Sequence, residues 1–322
     1  MSQTLQTAVD INSLINDALW YSETFITPAT DAAVYQASSA WVMTPQKKKL
    51  WDVGFSLNTN AFFVPKSQRK FTIHNADFSF FTIESGAQSA EVPTALGNDQ
   101  QIYMVGYIDD GVNQNEVRLK TPEGISMDAV VYPYLQASLG LPYGLELVAK
   151  YSTNVKLKKG NYQVYGAGLK YNLSQHFKKM EAKQMYLSAF AGISKEEISF
   201  EFLNAQTEQY GSLGLNQITG LVNTYQLQFN VSKKWKKFEA MGGIIANLSD
   251  IKYEVNGDSK ATGLLIPVQS YLNSRLSEIY ATKFNAMSEV SGRYQFGGHF
   301  YTQLAVAAGK FINTNLSLQY EL

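Results

Sequence analysis

The chain has no cysteine, so neither disulfides nor thiolate chemistry can contribute to it. It has no net charge: 27 basic residues balance 27 acidic ones, which argues against a nucleic-acid partner, since such binders carry a basic excess. No run of about 18 apolar residues occurs, which excludes a transmembrane helix. Histidine is scarce. His74, His176 and His299 stand apart, without a second histidine or a carboxylate cluster at ligand spacing, so no metal site is expected. Gly-x-Ser-x-Gly elbows, P-loops and dinucleotide fingerprints are missing, and no cofactor is expected. Lipid-cutting barrel enzymes set a serine beside a histidine. That pairing is not expected here, and the chain reads as a non-enzyme. Its start, Met1-Ser2-Gln3-Thr4, has neither the basic residues nor the apolar stretch of a signal peptide, so a mature form with its signal removed is expected.

Aromatic residues are plentiful, with 20 tyrosines and 18 phenylalanines on a mean hydropathy below zero. Alternating strands with aromatic girdles at two water–lipid boundaries have this composition. The last nine residues show the pattern most cleanly. Leu316, Leu318, Tyr320 and Leu322 share one face of a strand, and Asn315, Ser317, Gln319 and Glu321 share the other. An outer face meeting lipid and an inner face meeting water account for this alternation. Such a strand must be paired on both edges, because an open edge in lipid leaves backbone groups unsatisfied.

The same period of two recurs from Leu50 onward. It is seen at 50–58, 131–139, 145–152, 163–172, 222–231, 288–296 and the terminal strand; 185–194 is less clean, 238–247 is apolar with glycines, and 299–308 follows the Gly297-Gly298 turn. Each has about the length a strand needs to span a bilayer. Further candidates at 70–84, 101–108 and 115–121 are either extra spanning strands or a hairpin rising from a loop. The fold class expected is an antiparallel outer-membrane β-barrel of about 10–14 strands with an N-terminal helical plug. Two units follow: residues 1–46 as plug and 47–322 as barrel. In the first, Asp10 is a candidate helix cap, and Ile11, Leu14, Ile15, Ala18 and Leu19 recur at helical spacing. Pro28 is expected to break this helix, leaving Asp31 to Trp41 as a second short one. Ile11, Leu14, Leu19, Trp20 and Phe25 are apolar enough to need shelter, and the lumen or its periplasmic mouth is the place expected for them.

Connection lengths imply an orientation. Turns near 140–143, 174–184, 232–238 and 297–298 are short, and connections 196–219 and 248–283 are long, as in barrels with short periplasmic turns and long outer loops. Lys178, Lys179, Lys183, Lys233, Lys234, Lys236 and Lys237 crowd the short turns and read as solvated residues that discourage edge pairing. Asp109-Asp110-Gly111-Val112-Asn113-Gln114-Asn115-Glu116 reads as a hairpin tip, since it lacks the spacing of a helical calcium loop.

Parity directs Glu146, Lys150, Lys170, Glu289 and Arg293 into the lumen, together with Glu321. Facing lipid, an Arg or Lys at the midplane would cost about 2–4 kcal/mol. Two roles suit the five: lining a solute pathway, or bracing wall and plug as ion pairs.

The layout also resembles known proteins. A helical segment leads into Asp31-Ala32-Ala33-Val34-Tyr35-Gln36-Ala37-Ser38-Ser39-Ala40-Trp41, then Leu50-Trp51-Asp52-Val53-Gly54-Phe55-Ser56-Leu57-Asn58, then a barrel to the C-terminus. This looks like an uncharacterised outer-membrane family of Bacteroidota. More distantly it resembles the long-chain fatty-acid transporters, whose N-terminal hatch plugs a fourteen-stranded barrel. Ser39-Ala40-Trp41 stands where that hatch has Asn-Pro-Ala. The resemblance implies an outer-membrane location and passive uptake of a small solute, hydrophobic ones included. The alternative is a structural or accessory subunit of an outer-membrane assembly. Expected partners are outer-membrane lipid, the barrel-assembly machinery through the C-terminal strand, and other envelope proteins.

Overall fold

The computed structural model describes residues 2–109, 112–207, 211–257 and 268–322. Ten antiparallel strands form a closed wall: β1 Val53–Phe63, β2 Ala129–Gly140, β3 Leu145–Tyr151, β4 Gly160–Asn172, β5 Met185–Glu201, β6 Gln217–Trp235, β7 Phe238–Asn256, β8 Ala281–Gly297, β9 Phe300–Ala308 and β10 Ile312–Glu321. Each pairs with its neighbours in sequence. The seam between first and last runs from Gly54 opposite Glu321 to Phe63 opposite Ile312. Each of the ten is thus paired on both sides over the stretch it shares with its neighbours, and none is an edge strand.

Alternation decides which face is which. On β10, Leu316 and Leu318 are exposed while Asn315, Ser317 and Gln319 are buried, and β1 repeats this with Phe55 and Leu57 outside and Ser56, Asn58 and Asn60 inside. The outer face carries Leu135, Leu147, Leu169, Ile193, Leu227, Phe229, Ile244 and Val290, all exposed. An apolar outside and a polar inside are the inverse of a soluble protein.

At one end the strands join by short turns, such as the two residues between β6 and β7. At the other end the wall rises well past bilayer length: β5 and β8 have 17 residues, and β6 and β7 have 19. There the 64–128 connection folds into a head. Its strands Lys70–His74 and Ser89–Pro93 pair with each other, and Tyr103–Asp109 pairs with Gln114–Lys120. Asn204–Thr207, from the β5–β6 connection, joins the same small sheet beside Gln114–Lys120. The candidates at 70–84, 101–108 and 115–121 therefore belong to the head and do not span. The acidic segment is the hairpin tip between two of its strands, with Asp110 and Gly111 outside the described residues. Part of the 248–283 connection, residues 258–267, is also outside them.

A single helix, α1 Ser2–Ser38, precedes the barrel. At about 1.5 Å per residue its 37 residues extend about 55 Å, long enough to run from the head deep into the lumen. Two expectations are corrected here. Asp10 does not cap the helix but lies within it, and its carboxylate accepts the backbone N–H of Asp109 in the head. Pro28 does not break the helix. A mid-helix proline removes one backbone donor and crowds the preceding turn. Here residues 25, 26, 29 and 30 are all fully buried. The Phe25 carbonyl is turned to an outside donor, the N–H of Ala95, at 2.9 Å. Packing of this buried face holds the helix where propensity alone would end it.

Candidate functional site: the filled lumen

The helix narrows before it descends. Ala29, Ala32, Ala33 and Ala37 are buried, and these small side chains let a helix fit inside a wall of only ten strands. At the upper rim Asp31 pairs with Lys283 at 2.7 Å and Lys310 at 2.5 Å, fastening the helix to β8 and the β9–β10 turn. Tyr35 packs edge-on against Phe311.

Residues 39–48 continue downward, and the wall takes up their backbone. Lys150 donates to the carbonyls of Ala37 at 3.1 Å and Ser39 at 2.8 Å, so a wall cation closes the negative end of the helix. Its ammonium also lies 4.4 Å from the Trp41 ring and 4.7 Å from that of Tyr134. Glu289 accepts the N–H of Ala40 at 2.7 Å, where the backbone turns left-handed (φ 56°) without a glycine. Gln226 donates to the Ser38 carbonyl at 2.9 Å, Gln136 to that of Trp41 at 2.8 Å, and Asn247 to the Ser38 hydroxyl at 2.9 Å.

Nearer the short-turn mouth, charges interlock. Lys170 donates to the Thr44 carbonyl at 2.7 Å and pairs with Glu146. Lys48, from the plug, lies 3.5 Å from Glu146 and 3.6 Å from Glu321. Arg293 pairs with Glu321 at 2.7 Å, and Glu239 accepts from Thr44 and Gln46, each at 2.9 Å. The chain then leaves the lumen across Gly140. A side chain there would collide with the Lys49 carbonyl, and the Trp51 N–H bonds the Gly140 carbonyl at 2.9 Å as β1 begins.

The five charged residues named from parity thus all lie in the lumen, and each is at most 4% exposed. Lys150, Lys170 and Glu289 grip the plug, Glu146 pairs with Lys170 and with the plug's Lys48, and Arg293 is held by Glu321 and Gln319 of the wall. A cavity of about 300 Å³ at the short-turn mouth is lined by Lys48, Arg293 and Glu321. Glu239, which anchors Thr44 and Gln46, was missed in the sequence because it stands at the second residue of β7, where alternation had barely begun. Glu196, also buried inward, was missed because it lies beyond the 185–194 stretch counted as a strand.

The apolar residues expected in the lumen lie higher than that. Ile11, Leu14, Leu19 and Phe25 are buried in one core with head residues such as Ile73, Phe81 and Met104. Trp20 packs edge-on against Phe78, and Phe25 against Phe200 near the top of β5. The lumen itself is filled by residues 29–48.

Among the described residues no three metal-ligating side chains gather. One adjacency passed over in the sequence is Ser174, two residues before His176. The structure separates their roles: Ser174 accepts from Asn172, and His176 Nε2 lies 2.6 Å from the Tyr171 hydroxyl.

An apolar outer wall, a polar packed interior and a sheet closed on itself define a bacterial outer-membrane β-barrel protein. The chain belongs to a family of unknown function, DUF6588, whose model matches residues 1–322. No curated protein matches it. Among solved structures it is similar to the COG4313 outer membrane channel of Pseudomonas putida F1, at 7% identity and TM-score 0.37, covering 88% of this chain and 100% of that one. It is also similar to the translocator domain of the autotransporter NalP from Neisseria meningitidis, at 10% identity and TM-score 0.33, covering 92% and 95%. A third is OprG of Pseudomonas aeruginosa, at 9% identity and TM-score 0.26, covering 86% and 98%.

Proposed function

We propose that this barrel is closed at rest and anchors a folded head at the outer surface, where the head docks other molecules of the envelope or its surroundings. The observation that carries the reading is the grip of Lys150, Lys170, Glu289 and Gln226 on the backbone of residues 37–46. A pore-lining cation would face water. These are buried and already bonded. The rule of short periplasmic turns and long outer loops puts the head outside.

Passive uptake of a small solute, as in the long-chain fatty-acid transporters, is the second reading, and one observation favours it. The inner wall is lined by Gln136, Gln226, Gln228, Asn230, Asn247, Asn313 and Asn315, which would be wetted if the plug withdrew. The absence of cysteine allows a direct comparison. Cysteines at Ser38 and Asn247, whose side chains touch, would lock plug to wall. Swelling of liposomes carrying the reduced protein in a series of small solutes should be no faster than that of empty liposomes. Swelling that appears on reduction and vanishes on oxidation would favour uptake and overturn the closed anchor.

A further inference from the structure

We infer that this protein carries its own N-terminal segment across the outer membrane, so that the first turns of α1 stand on the cell surface while the C-terminus stays in the periplasm. The inference shares with the anchor reading the barrel's orientation and the segment that fills its lumen, but not the docking role of the head.

The argument is one of parity. Ten strands return the chain to the end of the barrel where β1 began. Accordingly Leu322 lies at that end, its N–H bonding the Val53 carbonyl at 3.1 Å. Before β1 the chain makes one further crossing. Residues 44–49 sit at the short-turn mouth, with Thr44 against Glu239 and Lys49 against Gly140, and residues 31–41 span the lumen above them. Everything ahead of that is at the opposite end. Asp17 accepts the N–H groups of Ser79, Phe80 and Phe81 at 2.8–2.9 Å. Thr7 donates to the Asp109 carbonyl at 2.7 Å, and Asp10 accepts that residue's N–H at 2.9 Å. Eleven crossings put the two ends of the chain on opposite sides.

The head explains why the helix must arrive there. Its apolar residues Ile73, Phe81, Ile83, Met104, Ile108 and Val117 close around one face of α1. Without the helix they would face water, so the head completes its core only once α1 has come through. Any segment joined ahead of Ser2 would leave from the outer mouth.

The cysteine-free chain permits single-cysteine labelling in the native membrane. Val9→Cys reports the helix start, where the side chain is 56% exposed. Val112→Cys reports the hairpin tip of the head, and Lys236→Cys the turn between β6 and β7. Each variant is first confirmed as a folded, heat-modifiable barrel. With a bulky, membrane-impermeant maleimide, Val9→Cys and Val112→Cys should label fully in intact cells, and Lys236→Cys only after the outer membrane is permeabilised. Val112→Cys labelled with Val9→Cys protected would show that the helix has not crossed, and would overturn the inference while leaving the barrel's orientation intact. Lys236→Cys labelled in intact cells, with the other two protected, would overturn it by inverting the barrel.

Discussion

Glu146 shows how this barrel tolerates charge inside a membrane. It is buried between Lys48 and Lys170, one from the plug and one from the wall. Removing one member of such a group leaves an uncompensated buried charge, at a cost of about 3–5 kcal/mol, whereas replacing the group by well-packed neutral residues can be close to neutral. Lys170→Met should therefore lower resistance to denaturant in lipid vesicles by about that amount. Adding Glu146→Gln should recover part of the loss. Equal stability of the single variant and the parent would show that the pair does not hold the plug. Asp17, on α1 where it meets the head, titrates differently. Burial raises its carboxyl above the ordinary value of 3.8, outweighing the three backbone N–H groups that pull it down. The folded head therefore keeps this proton to higher pH than the unfolded chain does. Its contribution favours folding most at low pH and declines as pH rises from 3.8 through the raised value. Limited proteolysis of the head across that range should show the slope, and Asp17→Asn should flatten it.

At the scale of elements, the strands were legible and the head was not. Ten wall strands were counted in the sequence, and most of them showed alternation, because lipid on one side and packed polar groups on the other impose a period of two. Their upper ends were not, since β5 to β8 rise beyond the bilayer and lose the lipid that enforces the pattern. The head's strands are short and non-spanning, and nothing in them separates a hairpin in a loop from another membrane strand. In α1 the apolar spacing at 11–19 was legible as a helix, but its destination was not. Large apolar side chains suit the head's core, and the narrow lumen takes the small residues near 29–38. A break at Pro28 follows from local sequence alone; tertiary burial overrides it. The wall itself makes a face-specific prediction. Leu227 is exposed outward and Gln226 faces the plug. Leu227→Arg should destabilise the inserted protein by about 2–4 kcal/mol if it sits at mid-membrane. Gln226→Asn keeps the amide but shortens its reach to the Ser38 carbonyl and to Gln228, and should cost less, about 0.5–1.5 kcal/mol. Comparable losses at both positions would contradict a lipid-facing exterior. Deleting 316–322 removes most of β10 and with it the pairing to both β9 and β1. Such a chain should fail to insert, and its normal appearance as a heat-modifiable band would show that another strand closes the wall.

For the whole molecule, the helix is shared between two structures. Its upper half completes the core of the head, and its lower half, with the extended chain after it, fills the barrel. The two cannot be disturbed independently, and an open lumen would require the grip of Lys150, Lys170, Glu289 and Gln226 to be released together. Planar-bilayer recording tests this most directly, comparing the intact protein with a chain lacking residues 2–42 that still migrates as a folded barrel. The intact protein should show no steady conductance, and the shortened one should show discrete openings. A steady conductance of the same size in both would contradict a barrel closed by its own N-terminal segment.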